Sequence, residues 1–395
     1  MRKLRFALLA CVTSCASADR APEAKTDSVS SRIVYGTESD ESQDGVVLVM
    51  LYDALAQGGG AAAGCTGTLL APTLVLTARH CVAVTDPGAA CSSEGKPISG
   101  GAVERDHPPS AVYVFGGRRR PSFLDGSARP SKGVKILTTG AKTLCDNDIA
   151  LVVLDRPVEG AKIVPVKLDA KPSKGDRVTV VGWGIADDEP DPPTRRQRSE
   201  VEVLDVGPAD QIGPAEFRVG EGACKGDSGG PAIAASGAVL GALSRGGNTK
   251  GGTGVDACIG GTNVFSSVAA HADFIRAGYA EVGQEPWLEG QPNPLLAKLG
   301  GACGADADCQ SNVCDLDTKT CTLDCSSSSC PANYACAEDR KICVLATADD
   351  GCSVGPSHGR SAALPYLFSL FALAVLFRGR RSKKIELRRR EGWDR

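Results

Sequence analysis

Between Gly222 and Ala232 the chain reads Gly-Ala-Cys-Lys-Gly-Asp-Ser-Gly-Gly-Pro-Ala. A serine among four glycines, with an aspartate before it and a proline three residues after it, makes a tight loop whose backbone must approach something closely. An oxyanion meets that description. Backbone N–H groups beside a nucleophile can be aimed at the charge that develops on a carbonyl oxygen under attack, provided no Cβ blocks the approach. Here Gly226 and Ser228 carry the two donors. A plain glycine-rich surface turn fits the same residues, so the rest of the chain must separate the two readings.

A nucleophilic serine needs a base, and the base needs an orienting carboxylate. The chain has four histidines. His80 lies in Leu-Thr-Ala-Arg-His-Cys, directly after an apolar strand-like run; His107 sits in an acidic, proline-rich loop, His271 on an expected helix and His358 near the C-terminus. Asp148 opens Asp-Ile-Ala-Leu-Val-Val-Leu, an acid at the mouth of a buried strand. His80, Asp148 and Ser228, with these flanks and in this order, resemble the trypsin-like serine proteases of the chymotrypsin fold over residues 33–283.

That resemblance implies an all-β fold of two antiparallel six-stranded β-barrels with a C-terminal helix. Ser228 would attack the peptide carbonyl, His80 would carry its proton to the leaving amine, and Asp148 would hold the His80 tautomer. Gly226 and Ser228 would form the oxyanion hole, and no metal or cofactor is implied. The substrates would be proteins or peptides. A competing class is a non-catalytic surface protein in which the protease fold displays or binds something; degenerate family members usually lose a triad residue, and this chain keeps all three.

The resemblance also implies a zymogen. Residues 19–32 are polar, without apolar periodicity, and read as a propeptide ending at Arg32, before Ile33-Val34-Tyr35-Gly36. In the family, a cut after such a basic residue frees an α-amino group that pairs with the aspartate before the nucleophile, which here means Ile33 and Asp227. An ammonium and a carboxylate buried together are tolerable where either alone is costly. For the specificity pocket the resemblance points to Gly222, Ser244, Gly246 and Asn263. Trypsins hold an aspartate where this chain has Gly222, so selectivity for Arg or Lys is not expected, and cleavage after Arg32 would need another, trypsin-like protease.

Seventeen cysteines, most of them in short-spaced clusters, indicate disulfides and an oxidising compartment. The family closes Cys65 with Cys81, which would fix the His80 loop, and Cys258 is the natural partner of Cys224; Cys91 most simply pairs with Cys145. Export is also read from residues 1–18, where Arg2, Lys3 and Arg5 precede an apolar run and Ala16-Ser17-Ala18 fits a signal-peptidase site. Leu8-Leu9-Ala10-Cys11 offers the alternative of a lipoprotein box. A net charge of −3 gives no electrostatic case for nucleic acid.

Several stretches read as exposed loops: the Gly/Ala segment 57–64, residues 86–131 with the basic run Arg118-Arg119-Arg120, and residues 187–198, where Arg195, Arg196 and Arg198 form an expected nick site. Arg79, beside the base, is either directed to the surface or close enough to His80 to lower its pKa, and the first is expected.

Residues 284–300, with three prolines, read as a linker. Beyond it, in residues 301–345, Cys303, Cys309, Cys314 and Cys321 recur as Cys325, Cys330, Cys336 and Cys343 at offsets of 22, 21, 22 and 22, an internal duplication. With few apolar residues between them, disulfides must hold this small module together; its role is a spacer or a binding unit. Residues 346–360 form a spacer containing Cys352, and residues 361–377 are apolar, at the lower length limit for a transmembrane helix, followed by a basic cytoplasmic tail, residues 378–395. This C-terminal arrangement resembles the MYXO-CTERM sorting signal of myxobacterial-type exported proteins. It implies surface attachment through the membrane, with processing near Cys352, or retention as a simple anchor.

Overall fold

The computed structural model describes residues 33–53, 61–122, 129–184 and 193–346. The signal segment with Cys11, the propeptide to Arg32, Cys352 and the apolar run 361–377 lie outside the described residues. Among the described residues no helix is long and apolar enough to cross a membrane.

Twelve strands build the two barrels. The first uses β1 (Val46–Asp53), β2 (Ala61–Ala71), β3 (Leu74–Thr77), β4 (Val112–Phe115), β5 (Ser131–Thr138) and β6 (Ala150–Leu154), closed in the order β5-β6-β3-β2-β1-β4. The second uses β7 (Arg177–Gly182), β8 (Arg196–Val206), β9 (Glu216–Val219), β10 (Pro231–Ala234), β11 (Val239–Gly247) and β12 (Thr262–Ser267), ordered β8-β7-β10-β11-β12-β9, with β8 pairing again with β9. Every ladder within the barrels is antiparallel.

The apolar pattern of β1 explains why the barrels lie against each other. A strand with one solvated face alternates apolar and polar residues, whereas Val46 to Met50 is apolar throughout. Val47, Val49 and Leu51 point into the first barrel, beside Leu69, Val75, Val112 and Val152. The alternate residues face the second barrel: Val46 packs on Val181 and Ile233, and Leu48 on Phe115 and Trp183. The second barrel fills with Val178, Val180, Val201, Val203, Leu243 and the stacked pair Phe217 and Phe265, whose ring centroids are 5.4 Å apart.

The helix α1 (Ala272–Glu281) closes the seam. Ile275, Gly278 and Tyr279, at helical spacing, are its buried residues. Gly278 lets it come close, since a Cβ there would lie 2.2 Å from Leu151 Cδ1. Ile275 and Tyr279 join Leu70, Leu74, Leu76 and Leu151 of the first barrel and Val239 and Ala242 of the second in one apolar cluster.

The structure corrects several readings. Residues 61–64 are the start of β2, paired with Met50 to Asp53, rather than loop. The 86–131 region contains β4, which closes the first barrel between β1 and β5. Arg195 is fully buried and Arg196 is 6% exposed, so neither is a nick site. The Arg195 guanidinium donates to Ser39 Oγ, to the carbonyl oxygens of Asp40, Val46 and Gly117, and to Asp44 Oδ1. Fully hydrogen-bonded burial of this kind is the condition under which an arginine can sit inside a protein. Arg79 is also buried, at 4% exposure, and pairs with Asp106 Oδ1 at 2.7 Å.

The segment after α1 is not a free linker. Val166 N–H donates to Trp287 O and Glu289 N–H to Val166 O, and Glu289 also pairs with Lys167 and Ser236. The chain is thereby strapped to the barrels before the cysteine module. There the disulfides are Cys303–Cys314, Cys309–Cys321, Cys325–Cys336 and Cys330–Cys343, the same pattern twice.

Removing Arg195 would strand three carbonyl oxygens and leave the Asp44 carboxylate facing Arg118 at 3.7 Å. Arg195→Ala is expected to destabilise the fold by about 3–5 kcal/mol, whereas exposed Lys174→Ala should change it by no more than about 1 kcal/mol. Urea unfolding of both variants against wild type reads the difference.

Candidate active site

His80 sits in the short helical turn Arg79–Cys81 that follows β3. The Cys65–Cys81 disulfide ties that turn to β2. Asp148 lies in the loop before β6, held from the other side by Cys91–Cys145. Ser228 is in the tight loop between β9 and β10, beside Cys224–Cys258. His80, Asp148 and Ser228 line one cleft between the barrels, with Ser244, Gly246 and Asn263.

Asp148 is 1% exposed, and its carboxylate is nevertheless well partnered. Oδ1 accepts from His80 N–H at 3.0 Å; Oδ2 lies 2.8 Å from His80 Nδ1 and accepts from Ser244 Oγ at 2.7 Å. Burial alone would raise the Asp148 pKa, but the charge and hydrogen bond of His80 and the Ser244 hydroxyl outweigh it and hold the pKa below the ordinary carboxylate value. Burial likewise opposes the charged imidazole of His80, and the Asp148 carboxylate outweighs that too, so the His80 pKa is raised. An imidazole oriented at Nδ1 by a carboxylate leaves Nε2 to accept a proton.

The serine loop is fixed to the first barrel by Thr66, which sequence reasoning passed over. Its N–H donates to Ser228 O at 2.8 Å, its hydroxyl donates to Gly226 O at 3.0 Å, and the same hydroxyl accepts from Trp183 N–H at 3.0 Å. Only its place beside Cys65, in the strand before His80, hinted at this. Gly226 has φ +94°, and a Cβ there would lie 2.8 Å from Gly184 Cα. The residue must therefore be glycine. The Gly226 and Ser228 N–H groups have no protein acceptor among the described residues.

Ser244 was expected at the edge of the specificity pocket; it lines the cleft and also hydrogen-bonds Asp148. Gly246 and Asn263 line the cleft as well. Gly222 does not: it is buried, with Val180 and Val201 where its Cβ would point. Arg245, between Ser244 and Gly246, also lines the cleft, its guanidinium held in a bidentate pair with the fully buried Glu216, at 2.6 and 2.8 Å.

Ile33 and Asp227 are each fully buried. Val34 packs on the Cys224–Cys258 disulfide, three residues from Asp227. The Asp227 carboxylate accepts from Gly184 N–H at 2.7 Å and Cys224 N–H at 2.9 Å, and among the described residues no cation pairs with it. Burial pushes its pKa up to about 7 despite those two hydrogen bonds. Ile33 has φ 45°, a left-handed conformation that is strained for a β-branched side chain.

Comparison with known proteins gives the site its setting. The family model described as Trypsin matches residues 40–267. The chain is 33% identical to the beta-fibrinogenase brevinase of Gloydius blomhoffii over 201 residues, 47% of this chain and 75% of that protein. It is 30% identical to the protein C activator of Agkistrodon contortrix contortrix over 197 residues, 47% of this chain and 74% of that one. A solved mutant of human heparin binding protein aligns with a TM-score of 0.45 and 22% identity, covering 64% of this chain and 98% of that one.

The unpaired carboxylate has a consequence for stability. Between its ordinary value of 3.8 and about 7, Asp227 keeps in the folded chain a proton that the unfolded chain has released. Fewer protons bound when unfolded means that stability falls as pH rises through this window, by on the order of 4 kcal/mol in total. In the chain uncleaved at Arg32, urea unfolding at pH 4.5 and pH 7.5 should show this loss, and Asp227→Asn should remove most of it.

Proposed function

The chain belongs to the trypsin family and is a serine-type endopeptidase, and on that premise we propose that Ser228 is its nucleophile, in a zymogen switched on by cleavage after Arg32. The observation that carries this reading is the His80 Nδ1 to Asp148 Oδ2 contact of 2.8 Å in the cleft that Ser228 shares. His80 takes the Ser228 proton as the hydroxyl attacks the substrate carbonyl, and returns it to the leaving amine. Asp148 holds the tautomer and stabilises the imidazolium. The N–H groups of Gly226 and Ser228 stabilise the oxyanion, where loss of one donor typically costs about 3–4 kcal/mol. Water then cleaves the acyl-enzyme.

Activation rests on Ile33 and Asp227. Support comes from a buried carboxylate with no cationic partner among the described residues and a buried, strained isoleucine whose neighbour packs on the Asp227 loop. A cut after Arg32 relieves the strain and supplies an ammonium, which restores the charged form of Asp227 and fixes the Gly226 to Ser228 loop.

The enzyme is further proposed to be exported and held at the cell surface through residues 361–377. Seven disulfides among the described residues fit an oxidising compartment. The strap 284–300 and the doubled cysteine module would then serve as a spacer between membrane and enzyme.

The test is hydrolysis of fluorogenic peptides by the chain before and after limited trypsin treatment. Activity should appear only with a new N-terminus at Ile33, fall by about 10⁶ in Ser228→Ala, and decline at low pH as His80 becomes protonated, with a midpoint above 6.5. Full activity in the uncleaved chain would contradict the switch; undiminished activity in Ser228→Ala would contradict the nucleophile.

A further inference from the structure

The recess beside Ser228 has two walls. One is the stretch Ala223 to Lys225 and the other is the end of β11, Ser244 to Gly246. Asn263 lies opposite Gly246 in the β11 to β12 ladder, and its side chain crosses from that wall to the other. Its Oδ1 accepts from Ala223 N–H at 3.0 Å and its Nδ2 donates to Ala223 O at 3.2 Å, so the amide pairs with one residue as a neighbouring strand would. On the near side, a Cβ on Gly246 would lie 2.3 Å from Asn263 Nδ2. The amide thus fills the space between the walls, and it is only 4% exposed.

Behind this bar the barrel is closed and apolar. Gly222, the next residue along the first wall, is outside the cleft and faces Val201 and Val180 at 3.4 and 3.5 Å. No carboxylate stands on either wall. Glu221 is outside the cleft, 3.9 Å from Arg198, and the charged residues on the walls are cations, the exposed Lys225 on the first and Arg245, paired with Glu216, on the second.

We propose that Asn263 truncates this recess, so that the residue whose carbonyl is attacked must have a small side chain, such as Ala or Ser. The inference rests on Ser228 as the nucleophile, because it takes the recess beside that serine as the seat of the acylating residue. A long aromatic or aliphatic side chain would have to expel the amide and leave Ala223 N–H and C=O unpaired, a penalty of the kind that sets strong discrimination. A basic side chain would meet the same bar between Lys225 and Arg245, while the acids of the cleft, Asp86 and Asp148, stand on the first-barrel side, outside the two walls, with Asp148 already held by His80 and Ser244. It follows that the enzyme does not cleave after its own Arg32, and activation belongs to a protease of basic specificity.

The experiment compares wild type and Asn263→Gly, each cleaved after Arg32, on peptide amides that differ only at the acylating residue, with every preparation titrated by a fluorophosphonate. Wild type is expected to turn over Ala and Ser substrates at least about 100-fold better, in kcat/KM, than Phe, Arg or Lys substrates. Asn263→Gly should label as fully as wild type and gain about 10-fold or more on Phe and Leu, because removing the amide frees the volume it fills against an apolar wall, with no comparable gain on Arg. Wild type that labels fully yet prefers Phe or Arg overturns the inference and leaves the nucleophile standing. So does a fully labelled Asn263→Gly with unchanged preferences. Should Asn263→Gly fail to label, the wild-type preference alone decides. Absence of labelling in correctly cleaved, folded wild type overturns the nucleophile and this inference together.

Discussion

A charged carboxylate sealed at the seam of two barrels is the constraint on which this structure turns. Asp148 belongs to the first barrel, yet its Oδ2 accepts from Ser244 of the second, and its backbone oxygen accepts from Ser266 Oγ at 2.9 Å. Leaving such a charge unpaired in a low-dielectric seam would cost several kcal/mol. The fold is therefore bound to bring β11, β12 and the His80 turn into one register. Docking of the barrels and assembly of the site are a single event, and the apolar layer of β1, β3 and α1 supplies the area that drives it.

Asp227 is the counterpart that the fold leaves incomplete. It is as deeply buried as Asp148, but among the described residues two backbone N–H groups are all that hydrogen-bond it. The contrast divides the site physically. Barrel packing alone satisfies His80 and Asp148, the proposed base and its orienter, while the loop that carries Gly226 and Ser228 depends on a carboxylate whose missing partner is, in the proposed activation, a new chain end. An enzyme built this way can fold completely and still wait for its oxyanion hole. Asn263 adds a second form of restraint, because a neutral amide satisfied by backbone limits what the cleft admits without introducing a charge that would itself need a partner.

What the sequence disclosed and what it hid follow from the range of the interactions. The His80, Asp148 and Ser228 loops were legible because each carries its own local requirement: a cysteine next to the histidine, an acid at the start of an apolar strand, glycines where a backbone must approach. The barrels are legible as short apolar runs, although the strand at 112–115 and the alanines opening β2 read as loop. The alanines have little intrinsic preference for strands, and their place is set by pairing with β1. Arg195 and Arg79 were misread for a related reason. Charge normally signals exposure, and Arg195 escapes that rule through acceptors on Ser39 to Val46 that lie 149 to 156 residues away in the chain. Asn263 was located at the pocket, but its closure of the recess depends on Ala223, 40 residues distant, and on the absence of a side chain at Gly246.

The central claim is covalent: Ser228, and no other residue, carries the acyl group during turnover. Acid-quenching the cleaved enzyme while it hydrolyses an ester of a small amino acid, then mapping its peptides by mass spectrometry, reads that group directly. The account predicts one acyl mass per molecule, on the peptide containing Gly226-Asp227-Ser228 and localised to the serine. Steady hydrolysis with no acyl mass on that peptide, or with the mass on another residue, would contradict it.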